Sequence, residues 1–255
     1  TFENYIKIKH KIFENTKNII INRNDKNIKK ENIFFRYSFG SDKPKNDNEL
    51  GIYIINGKKY IFHGNKILLS EDEIQLLGNH NLINACASLS VLNSLGFDLK
   101  DSANEIKSFL PIEHRMESFY SSGKVRWIND SKATNIESTI SAINSLEENI
   151  ILIIGGKSKE DNYDKLNQAI TDKIRQIIIY GESRHTLADI IKDKYKVSKV
   201  DNLSDAVKNA KKLAKMIIKN NDNLISVLLS PACSSYDMFN SYEERGLYFK
   251  KCVLE

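Results

Sequence analysis

The chain has 255 residues, 41% hydrophobic and 28% charged, with a mean hydropathy of -0.42. That is the balance of a water-facing globular chain long enough for two modest cores. It contains no run of about eighteen apolar residues and no signal-type apolar stretch after Thr1, so neither a membrane partner nor export is expected, and a cytoplasmic location is. Three scattered cysteines, Cys86, Cys233 and Cys252, do not make a disulfide framework or a zinc set and point to a reducing compartment. The net charge of +5 is spread along the whole chain without a basic block, which argues against nucleic acid as a partner.

In chain order, Tyr5, Ile8, Ile12 and Phe13 recur at helical spacing. Lys9 falls on that apolar face, four residues after Tyr5 and three before Ile12. A lysine there either snorkels to the surface or is held in a site where its amine has a task. Residues 18–22 read as a short buried strand, and 33–38 and 51–69 alternate as strands, with Asn56-Gly57 a type I′ hairpin signal. Gly78 to Asn81 opens a helix whose stripe is Leu82, Ala85, Cys86, Leu89 and Leu92 or Val91, and Gly96 ends it. Asn81 and Asn84 share a face of its first turn, where paired amides either cap the helix or bracket a heterocycle. A short helix over 102–109 leads to Leu110-Pro111, a natural boundary because proline pushes the preceding residue out of helix. Two domains follow, 1–110 and 111–255.

Beyond the boundary, a hairpin-like turn at 121–124 feeds an apolar strand ending in Trp127 and Ile128. Helices are expected over 136–146, 163–170, 185–192 and 204–220. Strands are expected over 150–154, 176–180, 196–200 and 224–229, and a last helix carries Met238, Phe239, Tyr242 and Phe249. Such alternation predicts an α/β fold with a mostly parallel sheet covered on both faces, whose ligands gather beyond the carboxyl ends of the strands. Polar punctuation falls at three of those ends: Asn129 to Asn135, Gly155 to Lys159, and Ser230 to Ser235.

The first tip offers two readings. It is a polar turn with Thr134 or Asn135 capping the next helix, or a site in which Asp130, Lys132 and Thr134 line one side of an extended segment. Lysine suits an oxyanion or polyphosphate, and aspartate suits a sugar hydroxyl or a metal-bound water. Gly155-Gly156 would let the backbone approach a ligand, although it is neither G-x-G-x-x-G nor a Walker loop. Ser234-Ser235 would cap the last helix or present its amides to a carboxylate, with Lys159 completing the clamp. Cys233 has no histidine in a nucleophile arrangement.

The stretches G-N-H-N-L-I-N-A, H-R-M-E, W-I-N-D-S-K-A-T-N, G-G-K-S-K and L-L-S-P-A-C-S-S-Y-D-M-F resemble, in order and spacing, the Mur ligases over nearly the whole chain. The likeness is greatest to the members that join D-glutamate to UDP-N-acetylmuramoyl-L-alanine for peptidoglycan. The resemblance implies an ATP-dependent amide-forming ligase that uses Mg2+, acts on small-molecule substrates through an acyl phosphate, and works as a monomer. It implies Asn81 and Asn84 near adenine, Arg115 and Asp130 by the ribose and phosphates, and Lys132 at the phosphate under attack. Thr134, Lys159, Ser235 and Tyr242 would hold D-glutamate, and Lys9 would be a carbamate that ligates magnesium.

The chain departs from the family in lacking a G-x-x-G-K-[ST] phosphate loop. The expectation is therefore a truncated central ATPase domain of P-loop type over 1–110, and a Rossmann-like C-terminal domain over 111–255. Without the loop amides that cradle the β- and γ-phosphates, this polypeptide alone is expected to be inactive. The alternatives are a non-catalytic nucleotide- or D-glutamate-binding module, a Mur ligase adding another amino acid, and a nucleic-acid-binding domain.

Overall fold

The computed structural model describes residues 2–28, 34, 36–75, 78–110, 112–158, 163–191, 195–220 and 223–255. Ile33, Pro111, Lys159 and Lys192 lie outside the described residues. The chain divides into two compact units, Thr1–Leu110 and Pro111–Glu255.

The first unit is a mixed five-stranded sheet with helices. It runs α1 (Phe2–His10), β1 (Ile20–Asn22), β2 (Tyr37–Gly40), β3 (Glu49–Ile55), β4 (Lys58–His63), β5 (Lys66–Ser70), α2 (Asn79–Ser94) and α3 (Leu99–Ser108). The strands lie in sequence order, with β1, β2 and β3 parallel and β3, β4 and β5 antiparallel. Asn56 and Gly57 both adopt positive φ, 51° and 80°, which is what a type I′ turn demands. Leu50, Ile61 and Leu69 pack on the predicted α2 stripe of Leu82, Ala85, Cys86 and Leu89, while Val91 is exposed. The third helix begins three residues earlier than its periodicity suggested because the Asp98 side chain accepts from Lys100 N and Asp101 N.

The apolar face at the start of the chain is open: Tyr5 and Ile8 on α1, and Ile12 in the turn just after it, are 56%, 64% and 72% exposed. The helix is amphipathic in pattern, but within this unit the sheet's buried side chains pack on α2 and α3.

The second unit begins with β6 (Glu117–Ser122) and β7 (Val125–Asn129), then α4 (Ile136–Ser145), β8 (Asn149–Gly155), α5 (Asp164–Ala169), β9 (Ile174–Tyr180) and α6 (Arg184–Ile191). It continues through β10 (Val197–Lys199), α7 (Leu203–Asn220), β11 (Ile225–Leu229) and α8 (Tyr242–Leu254). Strand order is β10-β9-β8-β11-β7-β6, parallel throughout except for the edge strand β6. Ile151, Ile153, Val227 and Trp127 pack on Ala206, Val207, Ala210 and Ala214 of α7 and on Phe249 and Val253 of α8. The alternate residues Ile128, Ile150, Leu152 and Ile154 turn to the other face and are equally buried, so both faces of the sheet are covered.

The chain steps from β7 over β11 to β8, runs outward to β10, and returns through α7 to insert β11 between β8 and β7. The order reverses at that point, so the tips of β7, β8 and β11 open on one crevice.

Candidate functional site at the tips of three parallel strands

The β7 tip is held from below. Asp130 N donates to Leu229 O of β11 at 2.8 Å, and Asp130 itself is 7% exposed. Its carboxylate accepts from Ser230 Oγ (2.7 Å) and Met116 N (3.3 Å). Burial dominates, pushing the Asp130 carboxyl up to about 7 against the opposing pull of those donors and of the Arg115 charge. Asp130 is therefore partly protonated near neutrality.

The tip does not continue as an extended segment, as its alternation suggested. Ala133 N donates to Asp130 O at 2.9 Å and Thr134 N to Lys132 O at 2.8 Å, which folds 130–134 into turns. Of the two capping candidates, Asn135 caps α4 by accepting from Ser138 N at 2.8 Å. Thr134 is left out of the cap.

Lys132 is fixed at its backbone by Lys132 N to His114 O, 3.0 Å. Its ammonium lies 3.7 Å from the centroid of the Tyr242 ring, a close cation–π contact. Tyr242 opens α8, and its ring meets His114 edge-on at 6.0 Å and 82°. His114 is buried at a positive φ of 65° and bonded through Nδ1 to Asn129 Nδ2 at 3.0 Å. A Cβ on Gly246 would overlap that imidazole, so the glycine is what lets α8 approach His114 so closely.

The tips of β8 and β11 are joined to each other. Lys157 N donates to Ser234 O (2.9 Å) and Ser234 N to Lys157 O (3.0 Å). Gly155 and Gly156 have φ of 131° and 127°, and a Cβ on them would overlap Tyr180 O and Ser234 O respectively. The close approach that these glycines permit here is to the protein's own backbone.

Ser234-Ser235 does not cap the last helix either. The helix starts at Tyr242, Ser241 accepts from Glu244 N, and the buried Ser235 instead offers its carbonyl to Met238 N and Phe239 N. A local turn consumes the residues that looked like a helix entry.

Sequence reasoning passed over the residue that ties these parts together. Arg245 is fully buried (0% exposed) and donates from Nε to Ser131 Oγ (2.9 Å), from Nη2 to Ser131 O (2.8 Å) and from Nη1 to Cys233 O (3.0 Å). Ser131 Oγ also bonds Tyr242 O at 2.8 Å. One guanidinium thus locks the β7 tip, the β11 tip and the start of α8. The only signal was its spacing, three after Tyr242 and four before Phe249, on the buried stripe of α8. Asn129, His114 and Ser230 were likewise missed as supports.

Of the expected site residues, the second unit brings Lys132 and Tyr242 into contact, with Asp130 buried two residues before Lys132 on the same tip and Ser235 and Thr134 on turns of the same strand ends. Arg115 is exposed and near enough to Asp130 to act on its charge. In the first unit, Asn84 Nδ2 donates to Asn81 Oδ1 at 3.4 Å, so the two amides do share a face. Lys9 is exposed on α1 with its ammonium 5.5 Å from the Tyr5 ring. Among the described residues no three histidine, cysteine, aspartate or glutamate side chains gather as a metal would need, and no helix is long and apolar enough to cross a membrane.

Two family models match the chain: the Mur ligase middle domain over residues 1–92, and the Mur ligase glutamate ligase domain over residues 114–233. The UDP-N-acetylmuramoylalanine--D-glutamate ligase of Alkaliphilus oremlandii is 36% identical over 99% of this chain and 56% of its own length. That of Thermoanaerobacter sp. strain X514 is 38% identical over 100% of this chain and 57% of its own. The chain therefore spans little more than half the length of these relatives. Among solved structures, the UDP-N-acetylmuramate-alanine ligase MurC of Thermotoga maritima superposes with a TM-score of 0.68 at 15% identity, covering 98% of this chain and 55% of that one. Folylpolyglutamate synthase of the same organism gives 0.61 at 16%, covering 100% and 58%. Those two likenesses concern the fold. With both family models and the ordered strand-tip residues in agreement, the chain belongs to the Mur ligase family.

Proposed function

We propose that this chain supplies the amino-acid-binding surface and part of the nucleotide-binding surface of an ATP-dependent ligase that adds D-glutamate to UDP-N-acetylmuramoyl-L-alanine. The observation that carries this reading is the contact of Lys132 with Tyr242 beside the buried Asp130 at the strand-order reversal, with Asp130 and Lys132 inside the stretch matched by the glutamate ligase domain. In the proposed reaction, the γ-phosphoryl group of ATP passes to the alanyl carboxylate and ADP leaves. The amine of D-glutamate then attacks the acyl carbon, loses a proton, and the tetrahedral intermediate expels phosphate.

Lys132 would neutralise charge on that phosphate, as an ammonium at a strand tip can. Asp130 and Arg115 would lie by the ribose and phosphates, and Asn81 and Asn84 by adenine. Thr134, Ser235, Tyr242 and Lys159 would receive D-glutamate, with Lys159 outside the described residues. We assign 1–110 to the central ATP-binding domain and 111–255 to the C-terminal Rossmann-like domain, and expect a cytoplasmic monomer. Lys9 is exposed to CO2 and as a carbamate would offer one oxygen ligand to Mg2+. One such ligand does not by itself make a metal site.

Calorimetric titration of the 255-residue chain tests this. D-glutamate binding that is lost in Thr134→Val while the fold is kept supports it. Equal response to several amino acids points to a ligase of another specificity. Steeply salt-dependent DNA binding without D-glutamate binding would overturn it.

A further inference from the structure

We propose that Tyr242 is a positioning residue for Lys132, its ring being the dock on which the lysine ammonium rests when no anion is bound. This rests on the reading of Lys132 as the phosphate-facing lysine, but the docking itself is a property of the ligand-free protein.

A lysine at a strand tip has four rotatable side-chain bonds and would ordinarily wander through solvent. Here its backbone is anchored to His114 O, and its ammonium sits 3.7 Å from the Tyr242 centroid. Among the described residues no carboxylate forms an ion pair with it. The neighbouring Glu243 has its carboxyl lowered first by Tyr242 and only least by the Lys132 charge. The ring's negative face is therefore what holds the cation.

The ring in turn is not free to follow the lysine. His114 packs against it edge-on, Gly246 lets α8 close on His114, and the Tyr242 carbonyl is bonded to Ser131 Oγ, which Arg245 grips. A rigid aromatic face opposite a flexible cation is a preorganised arrangement: the ordering of the lysine is done before substrate arrives. A quadrupole also holds an ammonium more weakly than a full negative charge does, so a phosphate or carboxylate delivered to the tip can take the lysine over.

The experiment is NMR of the ligand-free 255-residue chain carrying lysine labelled with 13C at the ε position, with Lys132 assigned by its loss in Lys132→Arg. Docking places the ε-methylene above the ring. Its protons are expected upfield of all other lysines and in NOE contact with the Tyr242 ring protons. Tyr242→Phe keeps the shift and Tyr242→Leu abolishes it, with the amide spectrum otherwise preserved. A Lys132 signal at the ordinary lysine position in the wild type, or one unmoved in a folded Tyr242→Leu, overturns the proposal. The NOE in the wild type decides the matter even if the leucine variant fails to fold. No ligand is present in any arm, so failure of D-glutamate binding and failure of docking are read separately.

Discussion

Replacing Asp130 with asparagine should change how stability depends on pH. The wild-type carboxyl is buried and raised from its ordinary 3.8 to about 7. Below pH about 4 it is protonated in both folded and unfolded chains. As pH rises from there towards 7, the unfolded chain gives up the proton while the folded one retains it. The unfolded state then binds fewer protons, so stability falls across that window and levels off above it. At about 1.4 kcal/mol per pH unit, the full loss is about 4 kcal/mol, of which about 3 kcal/mol falls between pH 5 and 8. Asparagine fits the same site without titrating. Its oxygen can accept from Met116 N, and its amide can donate to Ser230 Oγ, whose own proton can turn to Thr139 Oγ1 at 3.2 Å. Urea unfolding followed by Trp127 reads this unit selectively, because Trp127 is the chain's one tryptophan, 4% exposed, three residues from Asp130 on β7. The expected result is that the gap between Asp130→Asn and wild type moves in the variant's favour by about 3 kcal/mol from pH 5 to pH 8. An unchanged gap over that range would refute the reasoning.

Three further outcomes are expected. Arg245→Met leaves Ser131 O and Cys233 O without their charged donor and should cost this unit about 3–5 kcal/mol, with Arg245→Lys in between; a loss under about 1 kcal/mol by the same unfolding assay would contradict the locking role. Gly246→Ala drives a methyl into the His114 imidazole and should cost about 1–3 kcal/mol while loosening the Tyr242 ring, read as lost dispersion of the ring signals. Of the three thiols, Cys86 is pushed up to about 12 by burial and Cys233 is raised by burial, whereas Cys252 is half-buried. A thiol reagent on the native chain should therefore label Cys252 alone, and label all three only after unfolding.

Much of the architecture was legible without coordinates. Between Val125 and Asn220 the near-continuous apolar runs mark strands covered on both faces, and the 3.6-residue period marks helices with one face to solvent, a pattern decided locally once a strand or helix forms. Asn56-Gly57 was equally readable, since positive φ at two successive positions is cheap only for such residues. Asp130 and Lys132 were singled out by residue chemistry and Tyr242 by family likeness, and the structure sets Lys132 against Tyr242.

What could not be read were contacts across long separations. Ser234-Ser235 has the composition of a helix entry, but the Ser234 amide and carbonyl are taken by Lys157 and the Ser235 carbonyl by a local turn, and α8 starts at Tyr242. Gly155-Gly156 has the composition of a ligand loop, but Tyr180 and Ser234 fill the space beside it. The apolar positions of α1 obey helical spacing and yet stand exposed, because periodicity says which residues share a face and not what covers it. The sequence by itself determined the elements, the parallel sheet and the polar character of the Asn129–Asn135 tip. Only the tertiary structure decided that this tip is a turn, that its aspartate is buried enough to hold a proton near neutrality, and that its lysine rests on Tyr242. The physical reason is that burial, shape and charge at the tip are set by Arg245, His114 and Ser230, residues brought there by folding from as far as 114 positions along the chain.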